Sequence, residues 1–293
     1  MKLSVVICTR NRASYLPAML ASIRKLKALG IKWELILVDN DSQDDTFRIL
    51  EQFSLNFSVP TQVIHEPQKG LSNARNAGWK VARGEIISFT DDDCYPQEDW
   101  LSTTLKAFDD FNVAYVGGRV LLFDIDDAPV TIQTSTKRLH FPAHTHIESG
   151  QIIGANFSFR RKVFSEIGGF DNRLGAGTPF HSGEDTDLLA RASNSGHEGS
   201  YDPSIVVFHH HRRRLQQDVE KLYCGYAFGR GALFVKMISE SDEKMVELKR
   251  WYWRLSALIN KGRYSYIANE IGGAILFILH HKLPFVRKIV ARR

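Results

Sequence analysis

Over the first third of the chain, short apolar runs alternate with stretches in which apolar residues recur every three or four positions. The runs fall at residues 3–8, 33–38, 61–65 and 86–89 and are rich in Val, Ile and Leu, a length and composition that suit strands. After the first run, Leu16, Met19, Leu20, Ile23 and Leu26 share one helical face, with Gly30 expected to end that helix. Further helices are predicted near residues 46–53, from a Ser72 cap through Val81, and over 99–111. Strands alternating with helices form βαβ units, so the pattern predicts an α/β fold with a mostly parallel sheet flanked by helices.

The polar clusters of this region follow the apolar runs: Thr9-Arg10-Asn11-Arg12, Asp39-Asn40-Asp41-Ser42 and Asp91-Asp92-Asp93. Ligands of open α/β sheets bind outside the carboxyl ends of the strands, so three loops are expected to converge on one site. Further along, residues 114–123 read as strand and 124–148 as a long aperiodic loop. A strand at 156–160, a helix at 162–167, a Gly-rich turn, a helix at 186–195 and a strand at 205–208 follow, ending at His209-His210-His211. The remainder is mainly helical, aromatic and basic. The expected division is a larger α/β domain over residues 1–212, in two parts of about 1–120 and 121–212, followed by a helical extension over 213–293.

With 293 residues, 43% of them hydrophobic, the chain can bury a sizeable core, and the formal charge of +5 fits a phosphate-rich partner or an anionic membrane surface without singling out either. Three dispersed cysteines, Cys8, Cys94 and Cys224, indicate neither a disulfide framework nor a cysteine zinc site, which makes a reducing cytoplasm the default expectation. The first apolar run is broken at once by polar residues and reads as a strand, not a signal peptide. The longest C-terminal apolar run, residues 271–279, is too short to span a bilayer.

Three adjacent carboxylates after a buried strand repel one another unless something positive joins them. A divalent cation such as Mg²⁺ or Mn²⁺ is the natural partner, and a solvated acidic turn is the alternative. Asp39 can accept a hydrogen bond from the imide N–H of uracil, thymine or guanine, or serve as a turn former. Lys69-Gly70-Leu71-Ser72-Asn73-Ala74-Arg75-Asn76 combines cations with a helix start and favours phosphate or ribose, and Arg10 and Arg12 add charge at the same edge. The three histidines end a strand, and alternation can turn only some of them toward a metal. Glu184 and Asp185 suit a helix N-terminus, with Asp as a cap near Thr186 and Glu at the positive end.

The order of these segments resembles the family 2 glycosyltransferases, inverting enzymes of GT-A fold. The resemblance rests on Val5-Val6-Ile7-Cys8-Thr9-Arg10-Asn11-Arg12, Leu37-Val38-Asp39-Asn40-Asp41-Ser42, Gly70-Leu71-Ser72-Asn73-Ala74-Arg75-Asn76-Ala77-Gly78, Phe89-Thr90-Asp91-Asp92-Asp93 and Gly183-Glu184-Asp185-Thr186-Asp187-Leu188. It implies that Thr9 and Asp39 hold the base, with Arg10 at the same edge, that Arg75 helps hold the donor, and that Asp91 and Asp93 bind Mn²⁺ or Mg²⁺ with a histidine at or near His209. It also implies that Asp92 takes the ribose or a metal contact, that a catalytic domain over residues 1–212 binds the nucleotide sugar with about 1–120 and the acceptor with about 121–212, where Gly154 and Asn156 lie, and that Asp185 is the base candidate, with Glu184 orienting or substituting for it.

The implied reaction moves a sugar from a nucleotide-diphosphate donor to a saccharide or lipid-linked acceptor hydroxyl, as in polysaccharide or glycolipid assembly. Nucleic acid is not an expected partner. A nucleotidyltransferase would normally carry a Gly-rich basic loop after the first strand, and Cys8-Thr9-Arg10-Asn11-Arg12 has no glycine; the absence of G-x-G-x-x-G there also disfavours a nicotinamide dehydrogenase. A noncatalytic carbohydrate-binding protein of the same fold is the other alternative. The C-terminal mix of Trp, Tyr, Lys and Arg, with residues 280–293 free of acids, suits an amphipathic helix on an anionic leaflet, hence a peripheral position on the inner membrane face, or a helical subdomain that packs on the core.

Overall fold

The structure, a computed structural model, describes residues 1–282. β1 (Leu3–Thr9) and β2 (Trp33–Asp39) are buried along their whole length, because helices cover both faces of the sheet. With β3 (Thr61–His65) and β4 (Ile86–Asp91) they form a parallel block in the order β3-β2-β1-β4. Successive strand residues serve opposite layers. Leu3, Val5 and Ile7 pack with Leu16, Met19, Leu20 and Ile23 of α1 (Leu16–Arg24), and the same layer takes Leu50 and Phe53 of α2 (Thr46–Leu55). Val6 and Cys8 pack on the other side with Ala74 of α3 (Leu71–Val81). Each large buried side chain contributes about 1.5–3 kcal/mol, which is why the apolar runs dominate the fold.

Beyond β4 the sheet becomes mixed. β5 (Cys94–Pro96), α4 (Trp100–Phe111), β6 (Tyr115–Leu122), β7 (Leu139–Phe141), β8 (Asn156–Arg160), α5 (Arg161–Ile167), α6 (Glu184–Asn194) and β9 (Gly199–His209) complete it, in the order β4-β8-β6-β9-β5 with β7 also on β9. β8 runs antiparallel to β4 and β6, β6 runs parallel to β9, and β5 and β7 run antiparallel to β9.

Several boundaries differ from the sequence expectation. α1 ends at Arg24 on a Lys25 cap, and Gly30, at φ +82°, lies in the turn that leads to β2. The cap of α3 is Gly70, whose φ of +124° favours glycine, so Ser72 sits inside the helix and is buried. α6 begins at Glu184, two residues earlier than expected. β9 starts at Gly199, six residues before the apolar run, because Asp202-Pro203-Ser204 masks its first half.

Three helices follow: α7 (Gln216–Glu240), α8 (Lys244–Asn260) and α9 (Tyr264–Lys282). Two compact units result, one of Met1–Asp171 with Asp185–Arg214, the other of Asn172–Glu184 with the chain from Leu215 onward. Residues 172–184, read above as part of the catalytic domain, group with the helices: Phe180 lies edge-on to Phe277 and stacks on Phe228. α7 and α9 approach closely at Gly231 and Gly273, where an added Cβ meets the backbone of Glu270 and Phe228. No described helix is long and apolar enough to cross a membrane. Residues 283–293, most of the expected basic tail, lie outside the described residues.

Candidate active site

β1, β2 and β4 end level with one another: Thr9 is in register with Asp39, and Cys8 with Asp91. The expected convergence of three loops follows from that register. Past Asp91 the chain turns through Asp92 and Asp93 directly into β5, where Cys94 pairs with His209 at the end of β9. This short antiparallel pairing brings His209 Nε2 to 3.3 Å from Asp93 Oδ1.

The three carboxylates point to different partners. Arg75 Nη2 donates to Asp91 Oδ1 at 3.0 Å, Thr9 Oγ1 donates to Asp92 Oδ2 at 2.6 Å, and Asp93 faces His209. Arg12 sits beside the last two, with Nε 3.6 Å from Asp92 Oδ1 and Nη2 3.7 Å from Asp93 Oδ2. Burial, reinforced by the charge of Asp93, pushes the Asp92 carboxyl up to about 7 against the pull of Arg12 and Thr9. Burial also works to raise Asp93, but the hydrogen bond and charge of His209, with Arg12 and Arg213, hold it below the usual carboxylate range. Burial opposes charge on His209, yet the hydrogen bond and charge of Asp93 raise its pKa overall.

Asp39 is buried. Its Oδ2 lies 3.0 Å from His65 Nδ1 and accepts from Ser42 N at 3.3 Å, whereas its Oδ1 has no hydrogen-bond partner among the described residues. Arg10 lies 3.7 Å from Asp41 on the same loop. Next to it, Asn40 pins the approach to α3 by donating to Glu66 O and Gln68 O and accepting from Gly70 N. That anchoring positions Arg75, which is buried over Phe157 and Phe170 and also donates to Gly154 O at 3.3 Å. Gly154 N in turn donates to Asp185 Oδ2 at 3.0 Å, and Asp185 Oδ1 accepts from Thr186 N at 2.6 Å. A side chain at Gly154 would press on Asp185 and Arg75 at 3.1–3.3 Å.

Asp93 and His209, with Cys94, are the described residues whose donor atoms could hold one ion, all lying within 4.8 Å of one another. Burial keeps the Cys94 thiol protonated, so a carboxylate oxygen and an imidazole nitrogen dominate this set and fit Mn²⁺ better than a thiolate-seeking metal. Asp91, expected as a second ligand, is turned to Arg75. Among the histidines, His209 faces Asp93; His211 directs its ring nitrogens to Ala128 O and Arg213 N, and His210 packs against Tyr95 and Phe123. Burial lowers the pKa of both His210 and His211. Asn156, expected on the acceptor side, commits its buried amide to Arg119 O, Ile205 O and Trp100 Nε1, which locks sheet to helix. Glu184 is buried at the start of α6.

Two contributors carry little sequence signal. Thr131, at φ +53° in the long loop, places its hydroxyl and carbonyl oxygens 3.2 Å from His209 Nδ1 and so fixes the ring; a β-branched residue rarely adopts that backbone. His65 stands in the last position of β3, where only its register with Asp39 reveals a role.

A parallel α/β block with acidic loops at its carboxyl ends, extended by antiparallel strands, is the GT-A architecture of nucleotide-sugar transferases. Residues 4–168 match the family described as Glycosyl transferase family 2, and the chain belongs to that family. It is 30% identical over 224 residues to a pre-mycofactocin glycosyltransferase of Mycobacterium tuberculosis, covering 73% of this chain and 43% of the relative. It is 27% identical over 207 residues to glycosyltransferase AglE of Haloferax volcanii, covering 70% and 66%. The chain thus spans less than half the length of the mycobacterial relative. Among solved structures, TarS 1–349 of S. aureus in complex with UDP-GlcNAc matches with TM-score 0.63 and 21% identity over 84% of this chain and 69% of that one. The mannosyltransferase PcManGT of Pyrobaculum calidifontis, with GDP-mannose and Mn²⁺, matches with TM-score 0.63 and 17% identity over 99% and 79%.

Proposed function

We propose that the chain is an inverting, metal-dependent glycosyltransferase that moves a sugar from a nucleotide-diphosphate donor to the hydroxyl of a saccharide or lipid-linked acceptor. The observation that carries the reading is the arrangement of Asp91, Asp92, Asp93 and His209 at the same strand edge as Asp39, whose buried Oδ1 lacks a partner among the described residues. A buried acceptor oxygen without a donor is costly unless a ligand supplies one, and a base with an imide N–H, uracil or guanine, does so. Asp93 and His209, with Asp91 nearby, would hold Mn²⁺ or Mg²⁺, which neutralises charge on the diphosphate leaving group. Thr9 and Arg10 belong to the base side, and Arg12 and Arg75 hold the carboxylates apart while adding positive charge for the donor phosphates.

In this reading, the acceptor oxygen bonds to the anomeric carbon as the bond to the diphosphate breaks on the opposite face, and Asp185 takes the acceptor proton. Asp185 Oδ1 accepts from both Thr186 N and Thr186 Oγ1, whereas Oδ2 accepts the Gly154 N–H and keeps a lone pair for that proton. Gly154 and Arg75 fix its position, and Glu184 orients the start of its helix. The setting is cytoplasmic and peripheral to the membrane, in polysaccharide or glycolipid assembly.

The test is thermal unfolding with UDP or GDP, with and without Mn²⁺. A ligand at a hundred times its Kd adds about 2.7 kcal/mol, so one nucleotide should raise the melting temperature strongly only when Mn²⁺ is present, and Asp93→Ala should erase the Mn²⁺ requirement together with the shift. An unchanged, Mn²⁺-dependent shift in Asp93→Ala would remove the metal role from this carboxylate.

A further inference from the structure

The helices α8 and α9 expose an unusual surface. On α9, Ile271, Ile275, Ile278 and Leu279 lie at helical spacing and are 40–53% exposed, on a side with no charged residue between Tyr264 and His281 except the fully buried Glu270. On α8, Tyr252 and Trp253 are 62% and 69% exposed. Water-facing helices normally carry charge on their outer side, and an apolar patch of this kind marks an interaction surface.

The charge pattern says what covers it. From Lys244 to Lys282 the acids are Glu247 and Glu270, and both are buried: Glu247 pairs with Arg250, and Glu270 accepts from Trp251 Nε1 at 3.0 Å and Arg254 Nε at 3.2 Å. Folding thus hides both carboxylates of this stretch, while Lys249 and Lys261 remain exposed; Lys244 follows the exposed Asp242 and Glu243, and Arg263 lies 3.9 Å from Glu220. The sequence that follows, residues 283–293, adds Arg287, Lys288, Arg292 and Arg293 and no acid. A second copy of the chain would bring these like charges together, whereas a surface of acyl chains beneath anionic phosphates matches both the apolar residues and the cations.

We infer that the exposed side of α8 and α9 docks on an anionic lipid bilayer, with the isoleucines of α9 entering the acyl boundary, Tyr252 and Trp253 at headgroup level and the lysines on the phosphates. The inference deepens the peripheral setting proposed above and rests on it in that respect. Its test reads lipid binding and not sugar transfer, so it can fail while the transferase reading stands.

The experiment is flotation of the 293-residue chain with vesicles of phosphatidylcholine alone or mixed with phosphatidylglycerol. The protein should float only with the mixed vesicles and return to the soluble fraction at high salt. Ile275→Asn with Ile278→Asn should weaken binding by more than about tenfold, since each removes an inserted apolar side chain. Lys249→Ala and Lys261→Ala should each weaken it by about fivefold. All four residues are exposed, and unchanged melting temperatures confirm folding. Failure to float with phosphatidylglycerol, or undiminished flotation of the double isoleucine variant, overturns the proposal. So does a lipid-free dimer, seen by light scattering, that the same double variant dissociates, because the face would then join two copies.

Discussion

The two ends of the parallel block treat buried acids in opposite ways. At the amino end, Glu34 on β2 is 1% exposed and fully engaged: Oε1 accepts from Ser4 Oγ and Arg83 N, both at 2.7 Å, and Oε2 accepts from Arg83 Nε at 2.8 Å. Ser4 Oγ also takes Gly84 N, so strands β1 and β2 and the entry to β4 are tied together there. At the carboxyl end of the same strands, Asp39 has one oxygen without a partner among the described residues, and burial raises the Asp92 pKa to about 7. Burial works against ionisation at Glu34 as well, but its hydrogen bonds from Ser4 and Arg83 win and keep its pKa below the usual range. A satisfied buried acid holds a fold together, whereas an unpaired oxygen and a raised carboxyl pKa mark a candidate functional site.

The largest effect expected from breaking this contrast is at Asp185. Asp185→Asn should lower turnover by about 10²–10⁴-fold while leaving Mn²⁺ and nucleotide binding close to normal, because an amide cannot accept the acceptor proton. The variant also turns one of two accepting oxygens into a donor that faces Gly154 N or Thr186 N, so a loss of about 1–3 kcal/mol in stability accompanies it. Turnover near the unsubstituted level, with only the stability loss, would make Asp185 a helix-start residue and no base.

Glu34→Gln addresses the amino end. It should leave nucleotide binding untouched and cost about 1–3 kcal/mol at neutral pH, since a donor replaces one of two engaged oxygens. The pH dependence has a definite sign. Glu34 has a lowered pKa in the fold, so its contribution is fully present above the unfolded carboxyl pKa and is lost as pH falls through the folded one. Urea unfolding at pH 7 and below the ordinary glutamate pKa of about 4.3 should therefore show the gap between variant and parent closing on the acid side. A constant gap breaks the comparison.

The contrast between the ends was partly legible in the sequence. Runs such as Trp33–Asp39 and Leu3–Thr9 announce buried strands, and the acids after them announce a carboxyl-end site, because period and position are local properties. Asp93 and His209 come together only through β5, three residues long and entered from an acidic turn, so no periodic signal marks it. Thr131 reaches His209 from an aperiodic loop, and Asn156 looks like a polar strand residue until its partners on Arg119, Ile205 and Trp100 are seen. Those links are long-range pairings, which sequence spacing does not encode. The resemblance to a known family pointed to a histidine at or near His209, and the pairing of β5 with β9 is what turns His209 toward Asp93.

The smallest effect, and the one that sharpens the comparison most, is expected at Asp92. Asp92→Asn should stabilise the ligand-free protein by about 1 kcal/mol at pH 8, as happens when a site's charge is kept for function at the expense of stability. Thr9 Oγ1 can still donate to the amide oxygen, so the substitution removes charge without removing that bond. The sign again follows from linkage. The folded pKa of about 7 exceeds the unfolded carboxyl value, so below the unfolded value Asp92 is protonated in both states and costs nothing as a charge. As pH rises toward 7 the unfolded chain ionises first and the fold loses stability, and above 7 the cost is complete. The advantage of the variant should therefore grow from acid toward pH 8, opposite in sense to the closing gap at Glu34. Saturating Mn²⁺ with nucleotide should shrink or reverse it, because the cation relieves the repulsion that raised the pKa. Melting curves across pH, with and without those ligands, measure all of this, and a variant less stable than the parent at pH 8 without ligand would show Asp92 to be as structural as Glu34.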